Sequence, residues 1–391
     1  MTRQWHIGIT GTFDVENYGD LLFPLIAETE LTQRLGAVRL HRFSYHAKSA
    51  AEWPYAVTSV ADLPALLPRL DGLLIGGGFL IRFDERVADG YGPPSADIHH
   101  PTGYWLTPAL MALAERIPVL WNAPGMHCND IPAWAAPLLE LALAESAYIS
   151  VRDEPSRAAL APFASGTQIH VIPDTGFGLG RLLPRVPSAE LQRLREAAGI
   201  TKPYLVVQPV RWADDGFPEF LANNAEQFAG YQLVGVPMGP VLGDDVSFFG
   251  DALPQFVQLP EWPSPLLLAE LISHAEAVIG YSYHLAITAL TAGVPVFTSV
   301  DLAAGKFTAL AQFDTLHRLS SLQEWGAHVF FSRIGKREPS PSVQATLPPL
   351  AAHWDTIAGA IAAGRRSSSP SFARFWQKLP ALLDHSAGGA A

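Results

Sequence analysis

Three segments carry reactive side chains at points where a chain leaving a β-strand could present them. The densest is AVIGYSYHLAITALTAGVPVFTSV, residues 277–300. An apolar run leads to Gly280, Ser282 and His284, a helical pattern follows over residues 285–292, and Gly293-Val294-Pro295 returns the chain toward a sheet. His284 would stand at a helix start, at a strand's carboxyl edge, where the positive end of the helix favours a neutral, proton-sharing ring. A lone histidine is more often structural, but with Ser282 beside it and Lys306 as the one lysine of the region, His284 becomes an acid/base candidate. The second segment is SVRD, residues 150–153. Its Arg152 is a bidentate donor for carboxylate or phosphate, or else an ion-pair partner of Asp153, Glu154 or Asp174. In the third, VVQPVRW, Arg211 follows a strand of the second half and would approach from the opposite wall.

The first strand-to-helix turn, GITGTFDVENYGDLLFPLI, is long and polar where such turns usually run to about 2–6 residues. Asn17, Gly19 and Asp20 stand just ahead of a helix, where Asp20 caps the helix or the exposed N–H groups hold an anion. Gly76-Gly77-Gly78 follow the strand DGLLI and permit a tight turn or close approach of backbone to a ligand. NAPG, residues 122–125, ends another strand. The stretch from Gly78 to Pro101, rich in Gly, Pro and His and including His99-His100, reads as a long cleft-lining loop, and two adjacent histidines do not face one metal well.

Familiar signatures are missing: there is no GxGxxG, Walker A, CxxC, HExxH or DxD pattern, and GYSYH has His284 where a nucleophile elbow needs its second glycine. The balance of 26 Lys+Arg against 37 Asp+Glu, net −11, argues against a general nucleic-acid binder, so an anionic ligand must be held by a few local cations. The single cysteine, Cys128, excludes an intrachain disulfide and fits a reducing compartment. No apolar run is long enough to span a bilayer, which points to a cytoplasmic protein; the mean hydropathy of +0.16 and ten tryptophans leave room for peripheral contact with the inner face of a membrane.

The elements that must hold these residues alternate between short β-type runs and longer helical patterns, the signature of βαβ units around a parallel sheet. Strands are expected at 5–9, 38–43, 72–75, 119–122, 147–151 and 168–172. They recur at 204–208, 232–236, 256–258, 277–279 and 294–299. Helices are expected at 21–35, 133–145, 189–199, 265–274 and 285–292; residues 336–349 read as loop, 353–363 and 372–383 as closing helices. The 391 residues thus form two similar α/β halves, with a boundary in the Pro/Gly-rich stretch 171–188 and a cleft between them. The expected division is an N-terminal Rossmann-like domain over 1–175, a second over 176–345, and a helical tail over 346–391.

In their order along the chain, GTFDVENYGDLLFPL, GGGFL, SVRDEPSRAAL, IPDTGF and HLAITALTAGVPVF resemble the polysaccharide pyruvyl transferase family, over about residues 6–310. The resemblance implies a GT-B-like architecture: two Rossmann-like domains facing a cleft. It implies transfer of the enolpyruvyl unit of phosphoenolpyruvate onto sugar hydroxyls of a cell-surface polysaccharide or its lipid-linked precursor, leaving a pyruvate ketal. It implies His284 as general acid, with Arg152, Arg211 and Lys306 as cations for the donor's phosphate and carboxylate. No metal or organic cofactor is required by that scheme. One position departs from the pattern: many members carry arginine two residues before the histidine, where this chain has Ser282. With the second half taken as the donor side, Asp14, Asn17, Asp20, Gly77 and Gly78 of the first are expected to meet the acceptor. A GT-B glycosyltransferase using a nucleotide sugar, or a non-catalytic sugar-binding protein, would draw on the same cleft.

Overall fold

The computed structural model describes residues 3–83, 101–126, 131–209, 217–245, 256–303, 305–318, 327–337 and 340–365. Two parallel sheets organise them. The first contains β1 (Trp5–Thr10), β2 (Val38–Ser44), β3 (Thr58–Ser59), β4 (Gly72–Ile75) and β5 (Val119–Trp121), in the order β3-β2-β1-β4-β5. A two-stranded ladder of β6 (Ser150–Val151) and β7 (His170–Val171) follows. The second sheet is built from β8 (Tyr204–Val207), β9 (Gln232–Gly235), β10 (Phe256–Gln258), β11 (Ala277–Ile279), β12 (Val296–Thr298) and β13 (Leu316–Arg318). Their order is β10-β9-β8-β11-β12-β13.

The central strands explain why the sheets are parallel. GLLI of β4 and YLVV of β8 are buried at every position, as strands covered by helices on both faces must be. In each sheet the order reverses beside the first strand, between β1 and β4 and between β8 and β11, and such switch points open crevices at the carboxyl ends of the strands. The two crevices share one cleft. The first helix, Tyr18–Leu35, ties its walls together: the Tyr18 amide donates to Met238 O at 2.8 Å, and the Tyr18 hydroxyl lies 2.7 Å from Thr288 Oγ1.

Most expected strands stand within a residue or two of their places. The short β3 and β13 were not expected. The expected loop at 336–349 is a correction: a helix starts at Pro341 and runs to Ala363, through Pro348 and Pro349. Proline favours the first turn of a helix, so Pro341 marks its start. This helix returns to the first half of the chain, burying Leu350, Trp354, Ile357 and Ile361, and each such side chain contributes roughly 1.5–3 kcal/mol. Ile361 lies against Gly72, and His353 bridges Asn122 Oδ1 (3.0 Å) and the Tyr148 hydroxyl (3.2 Å). The helix expected at 372–383 lies outside the described residues. No helix among the described residues is long and apolar enough to cross a membrane.

Candidate active site

On the first wall, the chain leaves β1 and turns at Thr12 toward the helix starting at Tyr18. Asn17 occupies the N-cap position with extended backbone, but its side chain makes no capping bond. Its amide group instead donates to Asp20 Oδ2 at 2.9 Å, and Thr12 Oγ1 donates to the same oxygen at 2.5 Å. Asp20 is therefore a first-turn carboxylate held by two side chains. Burial pushes its carboxyl up, while the Thr12 hydrogen bond and the charges of His284, Arg152 and Lys306 pull against that rise.

On the second wall, Gln208 closes the end of β8 and organises the turn after β11. Its Oε1 accepts the amides of Tyr281 and Ser282, both at 2.8 Å, and its Nε2 donates to Asp244 Oδ2 at 2.6 Å. Asp244 also accepts the amides of Met238 and Gly239; burial raises its carboxyl, and these bonds offset part of the rise. Ser282 caps the helix Tyr283–Thr291 by accepting the Leu285 amide at 3.4 Å. His284 falls in the first turn of that helix, mostly buried, with Nε2 at 3.7 Å from Asp174 Oδ2.

Asp174 is the hub of the cleft floor. Its Oδ1 accepts the Gly176 amide at 2.8 Å, and its Oδ2 accepts from Arg152 Nη1 at 3.2 Å. Burial alone would raise this carboxyl, but the pull of His284, Arg152 and the Gly176 amide holds it down at about 2. Arg152 also pairs with Asp153 at 3.5 Å, and its guanidinium faces the rings of Tyr283 (4.8 Å) and Phe79 (5.0 Å). Its Nη2 is buried without a hydrogen bond, a donor that an anionic ligand would satisfy. The Lys306 ammonium lies 5.7 Å from the Phe79 ring; burial and the nearby Arg152 charge lower it to about 8.

A cavity of about 390 Å³ thus brings together His284, Arg152, Lys306, Ser282, Asn17 and Asp20. Other expected site residues do not line it. Asp14 is buried behind the turn, accepting from Ser44 Oγ (2.6 Å) and the His46 amide (2.8 Å), so it braces the turn against β2. Gly77 makes room for the Phe23 ring, and Gly78, at φ +82, for the Asp20 carboxylate. They support the cleft by close packing. Arg211, His99-His100 and Cys128 lie outside the described residues. Arg152 forms the expected ion pair, with Asp174 and Asp153, and also lines the cavity. Asp174, expected only as a partner of Arg152, also approaches His284, and Gln208, Asp244 and Arg82, for which the sequence suggests no role, line the walls. A polar residue at each strand's carboxyl end was the available signal for Gln208. Among the described residues no cluster of metal-ligating side chains is present.

Two parallel α/β sheets meeting at their switch points define the GT-B-like class. The chain is similar in fold to the UDP-GlcNAc 2-epimerase from Neisseria meningitidis bound to UDP-GlcNAc, with TM-score 0.58, 13% identity, and 93% of this chain and 100% of that chain covered. The UDP-GlcNAc 2-epimerase from Methanocaldococcus jannaschii is equally similar, with TM-score 0.58, 12% identity and the same coverage. No curated protein matches the sequence. The profile of the polysaccharide pyruvyl transferase family matches residues 17–300, and the chain belongs to that family.

Proposed function

We propose that this protein transfers the enolpyruvyl unit of phosphoenolpyruvate onto a sugar of a cell-surface polysaccharide or its lipid-linked precursor, forming a pyruvate ketal. The observation that supports this reading most is the meeting of His284, at a helix start, and Arg152 on one buried carboxylate, Asp174, with Lys306 lining the same cavity.

The chemistry asks for those groups. His284, set beside Asp174, acts as the general acid and gives a proton to the methylene carbon of the donor, which becomes a methyl group as the central carbon turns electrophilic. A sugar hydroxyl adds to that carbon. The carbon–oxygen bond to phosphate then breaks, and a second hydroxyl closes the ketal. The two hydroxyls lose two protons: one balances the proton spent on the methyl group, the other leaves with phosphate. Arg152 and Lys306 hold the donor's anionic groups and offset charge on the departing phosphate. Asn17 and Asp20 face the acceptor from the other wall and orient its hydroxyls.

A second reading, glycosyl transfer from a nucleotide sugar, draws support from Ser282: it adds no cation to a helix start that would suit a diphosphate. The test is release of inorganic phosphate from phosphoenolpyruvate on addition of glycan acceptors, with a pyruvate ketal in the product. Phosphate release is expected to disappear in His284→Ala.

A further inference from the structure

The cleft contains one more cation, delivered by the chain that leaves β4. After Gly76–Gly78 the backbone runs on extended: Ile81 bridges to Met126 in parallel, and its amide donates to Gly125 O at 3.0 Å. Extended backbone sends successive side chains to opposite faces. Ile81 and Phe83 are buried in the core of the first sheet, so Arg82 between them faces the other way and lines the cleft with Phe79 and Ser282. Trp105 Nε1 donates to the Arg82 carbonyl at 3.4 Å and fixes the backbone there.

The charges of the cleft give this placement a purpose. Phosphoenolpyruvate brings about three negative charges at neutral pH. Among the described residues Arg152 and Lys306 line the same cavity, and Ser282 contributes no charge. The depths differ as well: Arg152 is 3% exposed at the floor, whereas Arg82 is only half-buried on the wall. The carboxylate of the donor stays in the product, while its phosphate must depart to solvent and so needs a holder nearer the mouth.

We propose that Arg82 binds the phosphate of the donor while Arg152 binds its carboxylate, an assignment that rests on reading the cleft as a phosphoenolpyruvate site. A guanidinium suits phosphate through two parallel N–H···O bonds, which a lysine there would not reproduce.

Calorimetric titration of the full-length protein with phosphoenolpyruvate, inorganic phosphate and pyruvate tests it, in the wild type, Arg82→Gln and Arg82→Lys. Thermal unfolding without ligand serves as the folding control. Arg82→Gln is expected to weaken phosphoenolpyruvate and phosphate about ten- to hundredfold and to leave pyruvate unchanged, with Arg82→Lys intermediate. If Arg82→Gln does not fold, the same ligand ordering in Arg82→Lys decides. Unchanged phosphoenolpyruvate binding in the variants, or a loss confined to pyruvate, overturns the role of Arg82 and leaves the proposed function standing. Failure of the wild type to bind phosphoenolpyruvate at all overturns the proposed function, and this inference with it.

Discussion

The ring of His284 rests directly on the α-carbon of Gly19: a Cβ added at Gly19 would fall against Nδ1 and Cγ of that ring. The two residues belong to opposite walls of the cleft, the first turn of Tyr18–Leu35 and the first turn of Tyr283–Thr291. The missing side chain at position 19 is what lets the second half's histidine reach the first.

Gly19→Ala is therefore expected to push the imidazole out of register with Asp174. A displacement of this size costs about 10²-fold in turnover, with a smaller effect on donor affinity, because Arg152 and Lys306 stay in place. Comparing kcat with the Kd for phosphoenolpyruvate checks this; equal losses in both would mean that the cleft, rather than the histidine, had moved.

Asp174→Asn keeps the acceptor for the Gly176 amide but removes the charge between Arg152 and His284. Turnover is expected to fall about 10²-fold or more. Stability should change with pH in a defined direction. The folded-state value of Asp174, about 2, lies below its ordinary 3.8, so its contribution is complete above the ordinary value and is lost as pH falls through about 2. That contribution is on the order of 2 kcal/mol, and acid titration of wild type and variant by circular dichroism measures the difference.

Lys306 predicts the pH dependence of donor binding. It is lowered to about 8 in the free protein, and a bound anion favours its charged form. Phosphoenolpyruvate affinity should then decline as pH rises above about 8, and this dependence should vanish in Lys306→Met. Calorimetric titration across pH 7 to 9.5 is the check; an unchanged slope in the variant would remove Lys306 from the donor site.

His353 predicts an acid-sensitive joint between the returning helix and the first sheet. Burial, reinforced by the charges of Arg34 and His170, lowers this ring to about 3 from its ordinary 6.5. Its stabilising contribution is thus complete above about 6.5 and is lost progressively as pH falls toward 3, with a full value on the order of 5 kcal/mol. The melting temperature of the wild type should drop below pH 6.5 more steeply than that of His353→Gln. Identical slopes would show that the joint does not titrate.

Much of this architecture is legible in the sequence because parallel strands covered on both faces are nearly continuous apolar runs, as in GLLI and YLVV. The helix bearing His284 is equally local, announced by Ser282 as its cap. What escaped depends on contacts between distant residues. Asp14 looks like a ligand-binding carboxylate until Ser44, thirty residues on, takes its oxygen. Asp174 acquires its place only when the turn after β7 brings it under both Arg152 and His284. The first turns of the returning helix look like loop in the sequence because Pro348 and Pro349 break the local pattern, while tertiary packing of Trp354 and Ile357 sustains the helix beyond them. β3 and β13, at two and three residues, are too short to carry a periodicity.

The most direct test of the proposed donor is thermal unfolding of the purified protein with phosphoenolpyruvate, set against unfolding with UDP-GlcNAc and other nucleotide sugars. A ligand present at about 100 times its Kd adds about 2.7 kcal/mol to stability. A raised Tm with phosphoenolpyruvate and none with the nucleotide sugars is the predicted result. A rise with a nucleotide sugar and none with phosphoenolpyruvate would contradict pyruvyl transfer and make this cleft a glycosyl-donor site.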